Sequence, residues 1–334
     1  MLSTIRSLLA LCLLATACTS ASLLPPAGAQ EQPFQIHSAP LALNWQEPAV
    51  NTVGRLLWRG GIAMTANDRA FGGWSDLHVS PDGRSLASIS DEGAWLTATI
   101  DYDAKGNLAG LSKAAIGPLL GLDGKPLSDK AWSDAEGMAH LADGSWLVSF
   151  ERHHRIWRYP GLAATPVPFP TPAEFARQPN NGGIEALTAL SDGRIVAISE
   201  EWSLRPGTVV GWIALPTSGG AYTWTAFEYA TKPDFAPTAI TQLPDGSLVT
   251  IERAFDMARG VRCRVMHFAA AQLRPGGTVR AQELAFLAAP YAVDNLEGLA
   301  ATRGPRGETL LWLISDDNFN PFQRNILLLF ELTR

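Results

Sequence analysis

The stretch Glu185-Ala186-Leu187-Thr188-Ala189-Leu190-Ser191-Asp192-Gly193-Arg194-Ile195-Val196-Ala197-Ile198-Ser199-Glu200 reads as two short apolar strands joined at Asp-Gly and ending on an acid. Asp and Gly suit the backbone of a tight hairpin, and the Ile-Val-Ala-Ile run is rich in strand formers. The chain repeats this phrase. It runs from Trp74-Ser75-Asp76-Leu77 through Asp82-Gly83 to Asp91, and from Glu136-Gly137-Met138 through Asp143-Gly144 to Glu151. A further copy runs from Pro237-Thr238-Ala239 through Asp245-Gly246 to Glu252, and a looser one from Glu297-Gly298-Leu299 through Gly304 and Gly307 to Asp316. The interval is roughly 50–60 residues, a period that signals a propeller or an array.

A third strand follows in each unit, at residues 95–100, 156–159, 209–214, 265–268 and 326–332, and a fourth is visible at 224–229. Four antiparallel strands per repeat make a propeller blade, so the expectation is an all-β fold, a β-propeller of five or six four-stranded blades. The sixth would be a degenerate unit around residues 115–131. The last repeat ends after its third strand. Its fourth must come from near the N-terminus, from Arg55-Leu56-Leu57-Trp58 or the segment through Met64, so the ring is expected to close by pairing N- and C-terminal strands. Closure hides strand edges that would otherwise aggregate. Helical periodicity is weak throughout, with a single turn expected at residues 172–177.

Composition agrees. The chain has 334 residues, 46% hydrophobic and 17% charged, which is too apolar for disorder. A net charge of −6 without Lys/Arg runs argues against nucleic-acid binding. Residues 8–17 form an apolar run after Arg6, too short to span a bilayer and typical of an export leader. Two processing readings stand. Ala15-Thr16-Ala17-Cys18 resembles a lipoprotein box with Cys18 as the lipidated residue, which would tether the protein to a membrane. Ala27-Gly28-Ala29 fits ordinary cleavage. Residues 1–29 are therefore assigned to the leader and the start of a tether, 30–53 to a linker or extended segment, and 54–334 to the propeller. Loss of Arg6 takes the 26 Lys and Arg to 25 against 32 Asp and Glu, a net of −7. The expected location is the periplasm, the outer membrane as a lipoprotein, or outside the cell, and the expected state is a monomer. Cys263 is the one cysteine beyond the leader, which leaves no intrachain disulfide and no zinc spacing. It reads as a small buried hydrophobe.

In a propeller the innermost strands line a central channel, and a residue at one repeat position recurs around it. That position carries Asp76, Glu136, Glu185 and Glu297, with Thr238 as the exception; the second strands add Asp91, Glu92, Glu151, Glu200, Glu201, Glu252, Asp316 and Asp317. Converging carboxylates repel unless neutralised. Calcium, which takes several oxygen ligands, is one candidate. Arginine is the other, with Arg152, Arg253 and Arg324 close to the acidic termini. For any single carboxylate, pairing with an arginine or a backbone N–H is the plainer reading. The Asp of each Asp-Gly is explained by turn chemistry alone. Trp74 and Trp132 flank the acidic strands and could line a pocket, whereas the other tryptophans read as packing.

Three motifs are weaker. Arg152-His153-His154-Arg155 resembles a histidine acid phosphatase signature but lacks its Gly and its α/β setting, and it reads better as a polar loop edge. Asp101-Tyr102-Asp103-Ala104-Lys105-Gly106-Asn107 resembles a calcium loop, but Lys105 takes a ligand position and Ser112 stands where the bidentate Glu belongs, so a hairpin turn fits better. Gly73-Trp74-Ser75-Asp76-Leu77 lacks the second Gly of a serine-esterase elbow.

Taken together, Phe71-Gly72-Gly73-Trp74-Ser75-Asp76-Leu77, Asp134-Ala135-Glu136-Gly137-Met138, Ser149-Phe150-Glu151-Arg152-His153-His154-Arg155-Ile156 and Asn181-Gly182-Gly183-Ile184-Glu185-Ala186-Leu187 resemble the phytase-like domain family, also described as having esterase-like activity of phytase. The resemblance implies an exported bacterial β-propeller and hydrolysis of phosphate or other esters, with calcium as cofactor. The matching positions are Asp76, Asp134, Glu136, Glu151, Arg152, Asn181, Glu185 and Glu297; Thr238 departs from the acidic pattern. The resulting expectation is an exported, metal-assisted ester hydrolase acting on a small anionic or phosphorylated substrate. Asp76, Glu136, Glu185 and Glu297 would hold the metal, and Glu136, Glu185, Arg152 and Arg253 would serve catalysis. The alternative is a non-catalytic envelope propeller that binds a ligand and carries structural calcium.

Overall fold

Each Asp-Gly closes a hairpin between the first two strands of a repeat. The glycines at these turns (Gly83, Gly144, Gly193, Gly246 and Gly307) all have φ between +69° and +88°. In the four Asp-Gly turns the Asp is not in that region. Its carboxylate instead accepts the N–H two residues on, as Asp192 does from Arg194. A turn with only its Gly left-handed, capped by an Asp side chain, is a bulged hairpin rather than a two-residue one.

The computed structural model describes residues 34–333 apart from 218 and 220. The expectations for the leader, Cys18 and the two cleavage sites lie outside those residues. The described chain is a five-bladed propeller. The first blade runs Trp74–Val79, Ser85–Ser90, Ala94–Tyr102 and Leu108–Pro118, and the second Ala135–His140, Trp146–Phe150, Arg155–Tyr159 and Val167–Phe169. The third runs Ile184–Ala189, Ile195–Ser199, Thr208–Pro216 and Tyr222–Ala230, with Thr278–Val279 added parallel at its edge. The fourth runs Ala236–Gln242, Leu248–Asp256, Gly260–Phe268 and Gln282–Ala288. Asn295–Arg303, Thr309–Asp316 and Asn325–Leu332 form the fifth, whose fourth strand is Leu56–Ala66 from the other end of the chain. Each innermost strand packs against the innermost strands of both neighbours, and the ring closes.

Two differences from the sequence reading are plain. There is no sixth blade among the described residues: residues 115–118 end the outer strand of the first blade, and 119–129 form a loop with one bridge between Leu120 and Pro126. Within residues 30–53, Ile36–Pro40 is a strand on the outer edge of the closing blade, with Ile36 opposite Ala66. The expected turn near 172–177 is a 3-10 helix, Ala173–Arg177.

Strand alternation explains the packing. In Ile195-Val196-Ala197-Ile198 both faces are apolar because both are buried. Ile195 and Ala197 face a core shared with the second blade, and Val196 and Ile198 face one shared with the fourth. Five such cores fill the five blade interfaces. Each fully buried Leu or Ile in them contributes about 1.5–3 kcal/mol relative to exposure. Trp74 belongs to one of these cores, fully buried and edge-on to Phe71, so it lines no pocket. Cys263 is also fully buried, and burial pushes its thiol up to about 12.

Candidate functional site

The innermost strand of every blade carries a bulge at the same place. The register shifts lie between Trp74 and Asp76, Ala135 and Met138, Ile184 and Ala186, Pro237 and Ala239, and Leu296 and Gly298. A bulge adds a residue, bends the strand and re-aims a side chain. The bulge residues are Ser75, Glu136, Glu185, Thr238 and Glu297. The position expected to hold four carboxylates thus holds three, and Asp76 stands one residue further on. At Asp76's level the other blades have Gly137, Ala186, Ala239 and Gly298.

The difference in register separates two environments. Asp76 accepts backbone N–H bonds from Leu77 at 2.7 Å and from Met138 of the next blade at 2.6 Å, and the N–H of Leu299 in the closing blade also bonds to it. Burial nevertheless raises its pKa well above the ordinary range. Glu136, Glu185 and Glu297 share one end of the channel, each 9% exposed. All three have pKa values raised well above normal, chiefly by burial and then by neighbouring carboxylates. Glu136 feels Glu151, Glu297 and Asp134; Glu185 feels Glu200, Glu297 and Glu136; Glu297 feels Asp316 and Glu200.

Two sets of oxygens come close enough to share one ion, within 4.8 Å of one another: Asp134, Glu136 and Glu151; and Glu151, Glu185 and Glu200. Glu151 belongs to both. Its Oε1 is fixed by the N–H groups of Gly182 and Gly183, and burial pushes its pKa up to about 7. Glu297 and Asp76 join neither set. Glu297 instead accepts from Asn295 at 2.7 Å and lies 3.5 Å from Arg253. Asn295 also reaches Asp316, whose pKa burial pushes up to about 7.

Cations are few and unevenly placed. Lys130 reaches Asp134 at 2.8 Å, Asp91 at 2.6 Å and Glu92 at 3.4 Å, and Arg152 Nε donates to Asp134 at 2.6 Å. The first set therefore already has two basic partners on Asp134. Among the described residues the second has only Arg253, 3.4 Å from Glu200. Glu185 Oε2 is buried with no hydrogen-bond partner among the described residues. An orphaned carboxylate oxygen among hard oxygen donors suits a calcium-type ion, which takes several such ligands. Arg324 lies apart from both sets, 3.3 Å from Asp294. Trp132 stands at the rim, its ring 4.1 Å from that of His153.

Lys130 and Asn295 were not singled out in the sequence. Lys130 lies in a short helix before the second innermost strand and Asn295 opens the fifth, both outside the repeated phrase, and one chain carries no signal for them.

The fold and this well define a β-propeller with a candidate cation-binding mouth. The chain belongs to the phytase-like family: the family described as "Esterase-like activity of phytase" matches residues 69–319. Among solved structures, it is similar to a protein of unknown function from Dyadobacter fermentans DSM 18053, at 13% identity over 90% of this chain and 91% of that one, with a TM-score of 0.44. An alpha-L-arabinofuranosidase from Podospora anserina in complex with cellotriose aligns at 12% identity over 84% and 98%, with a TM-score of 0.49. A catalytically inactive virginiamycin B lyase from Staphylococcus aureus aligns at 11% identity over 90% and 99%, with a TM-score of 0.40. No curated protein matches the chain.

Proposed function

We propose that this protein is an exported, calcium-assisted ester hydrolase acting on phosphoesters. The observation that carries the reading is the Glu151, Glu185 and Glu200 set, in which three carboxylates converge and, among the described residues, one oxygen has no partner and Arg253 alone offers positive charge. Without a cation, such a site pays for burial and for like-charge repulsion at once. Glu151, Glu185 and Glu200 would hold the ion. Bound there, calcium would neutralise an anionic substrate and lower the pKa of an attacking water.

The chain's own groups would bind and orient the substrate. Arg152 commits its Nε to Asp134, and its terminal nitrogens carry no hydrogen bond among the described residues. With φ at +56° on the rim hairpin, it presents a planar fork suited to phosphate. Arg253 lies deeper, between Glu200 and Glu297, and would receive charge that develops inside the well. The family membership supports ester hydrolysis as the reaction class, and Arg152 and Arg253 beside the acidic set support a small anionic substrate.

A second reading rests on burial. Asp134, Glu136 and Glu151 are 3%, 9% and 5% exposed, so an ion held there would be structural and the propeller a binding module. Calcium titration calorimetry and a generic phosphomonoester assay separate the two. Glu185→Gln should cost at least tenfold in calcium affinity and abolish hydrolysis, and Glu136→Gln should lower both. Hydrolysis that persists in Glu185→Gln, or calcium binding that is unchanged, would sink the assignment. Calcium binding without turnover in the parent protein selects the binding module.

A further inference from the structure

The second-to-third strand hairpins all emerge at the channel end that carries the carboxylates, because each second strand runs up to that end: Ile184 pairs with Ser199, Pro237 with Glu252, and Asn295 with Asp316. The tips of these hairpins are apolar in three successive blades. Leu204 stands in the third, Phe255 and Met257 in the fourth, and Phe319 and Phe322 in the fifth, with Met257 94% and Phe322 93% exposed. Each tip has an arginine nearby in sequence, Arg205, Arg259 and Arg324 in turn, tied to Glu228, Asp256 and Asp294. Large apolar side chains so exposed mark an interaction surface.

We propose that this face rests on a lipid bilayer, with the tips of Leu204, Phe255, Met257, Phe319 and Phe322 in its interfacial layer. Two features favour a bilayer over a protein. The apolar groups are one or two side chains on each of three separate hairpins, each beside charge, whereas a protein interface needs a continuous packed centre. A fluid interface accepts separate tips with basic neighbours at headgroup level. The chain also enters the fold on this face. Ile36 pairs with Ala66 and Met64 with Asn325, just past the fifth-blade hairpin, and Phe34 packs on Phe71. Any membrane attachment through residues 1–33 would therefore join the described fold at this face. No described helix is long and apolar enough to cross a membrane. The bilayer contact does not depend on the chemistry of the well.

The test mixes the full chain with vesicles of phosphatidylcholine and measures partitioning together with amide hydrogen exchange. Three proteins are compared: the parent, Met257→Ser/Phe322→Ser, and Val167→Ser/Leu215→Ser, whose exposed side chains lie toward the opposite end of the strands. All three carry residues 1–33, so any attachment through that segment is common to them. On vesicles, exchange in the parent should slow at residues 255–259 and 317–323 and stay unchanged at the Asp-Gly turns. The rim variant should partition about 100-fold more weakly, and the opposite-end variant within about twofold of the parent. Equal partitioning of all three, or slowing at the Asp-Gly turns in place of the rim, overturns the proposal. A parent that ignores vesicles overturns it too, and assigns the rim to a protein partner.

Discussion

Asp76 is the residue at which the family pattern and the local chemistry part. Its carboxylate serves backbone N–H groups from three different blades, those of Leu77, Met138 and Leu299. That is a structural knot across the channel: each donor left without a partner in the dry ring would cost about 1–3 kcal/mol. Asp76→Ala is therefore expected to lower stability by about 3 kcal/mol or more, while calcium affinity stays within about twofold of the parent. Denaturant melts and calcium titration on one sample check both halves. A normal melt with lost calcium binding would return Asp76 to the ligand set. Glu185 is the converse case. It has a buried oxygen with no donor, so Glu185→Gln should leave the melt in chelator nearly unchanged or raise it, because a neutral amide removes like-charge repulsion.

At the scale of the strand, the bulge decides what the inner ring presents. The repeat, the hairpins and the closing strand could be read from the sequence because strand alternation and Asp-Gly turns are local signals. The bulge could not. An extra residue is a matter of backbone register, and Ser75-Asp76 beside Glu136-Gly137 can be aligned either way until the pairing of Trp74 with Ser90 and Ile184 with Ser199 is known. The cation sets were half legible. Glu136, Glu185, Glu151 and Glu200 were visible as recurring acids, but which of them meet depends on how neighbouring blades lean together. Gly137 shows how tight that fit is. A Cβ there would stand 2.6 Å from the carbonyl oxygen of Glu185 and 2.8 Å from Cβ of Leu187. The first contact is backbone, so the neighbouring inner strand must move. Gly137→Ala should thus cost about 1–3 kcal/mol and, by displacing Glu185, also weaken calcium binding. Gly144→Ala, in the turn at the far end of the same hairpin, has open space around it but a φ of +85°. It should cost stability and leave calcium affinity alone, which separates displacement of the site from general damage.

For the whole molecule, the two ends of the channel titrate in opposite senses. At the acidic end, Glu151 and Asp316 have folded pKa values of about 7, above their unfolded values. A raised folded pKa gives stability that is complete below the unfolded pKa and is lost as pH rises through the folded one. For Glu151 alone this amounts to about 3 kcal/mol between pH 4.5 and 7. At the other end, His78 is packed against His140 and Trp146. Burial and then the charge of His140 lower its pKa to about 4. A depressed folded pKa gives stability that is present above the unfolded value of 6.5 and is lost as pH falls toward 4. In chelator Glu151 and Asp316 together outweigh the single His78, so the melting temperature should fall as pH rises from about 4.5 to 7, and His78 only makes the fall shallower. Where the carboxylates are ionised calcium binds the folded state and restores stability, so with calcium the fall should flatten or reverse. His78→Gln should steepen the fall in chelator and leave the calcium effect intact. Scanning calorimetry from pH 4 to 8, with calcium or chelator, reads all three outcomes. Parallel curves with and without calcium would show that the well holds no ion in the folded protein, because binding linked to these carboxylates must strengthen as their protons leave.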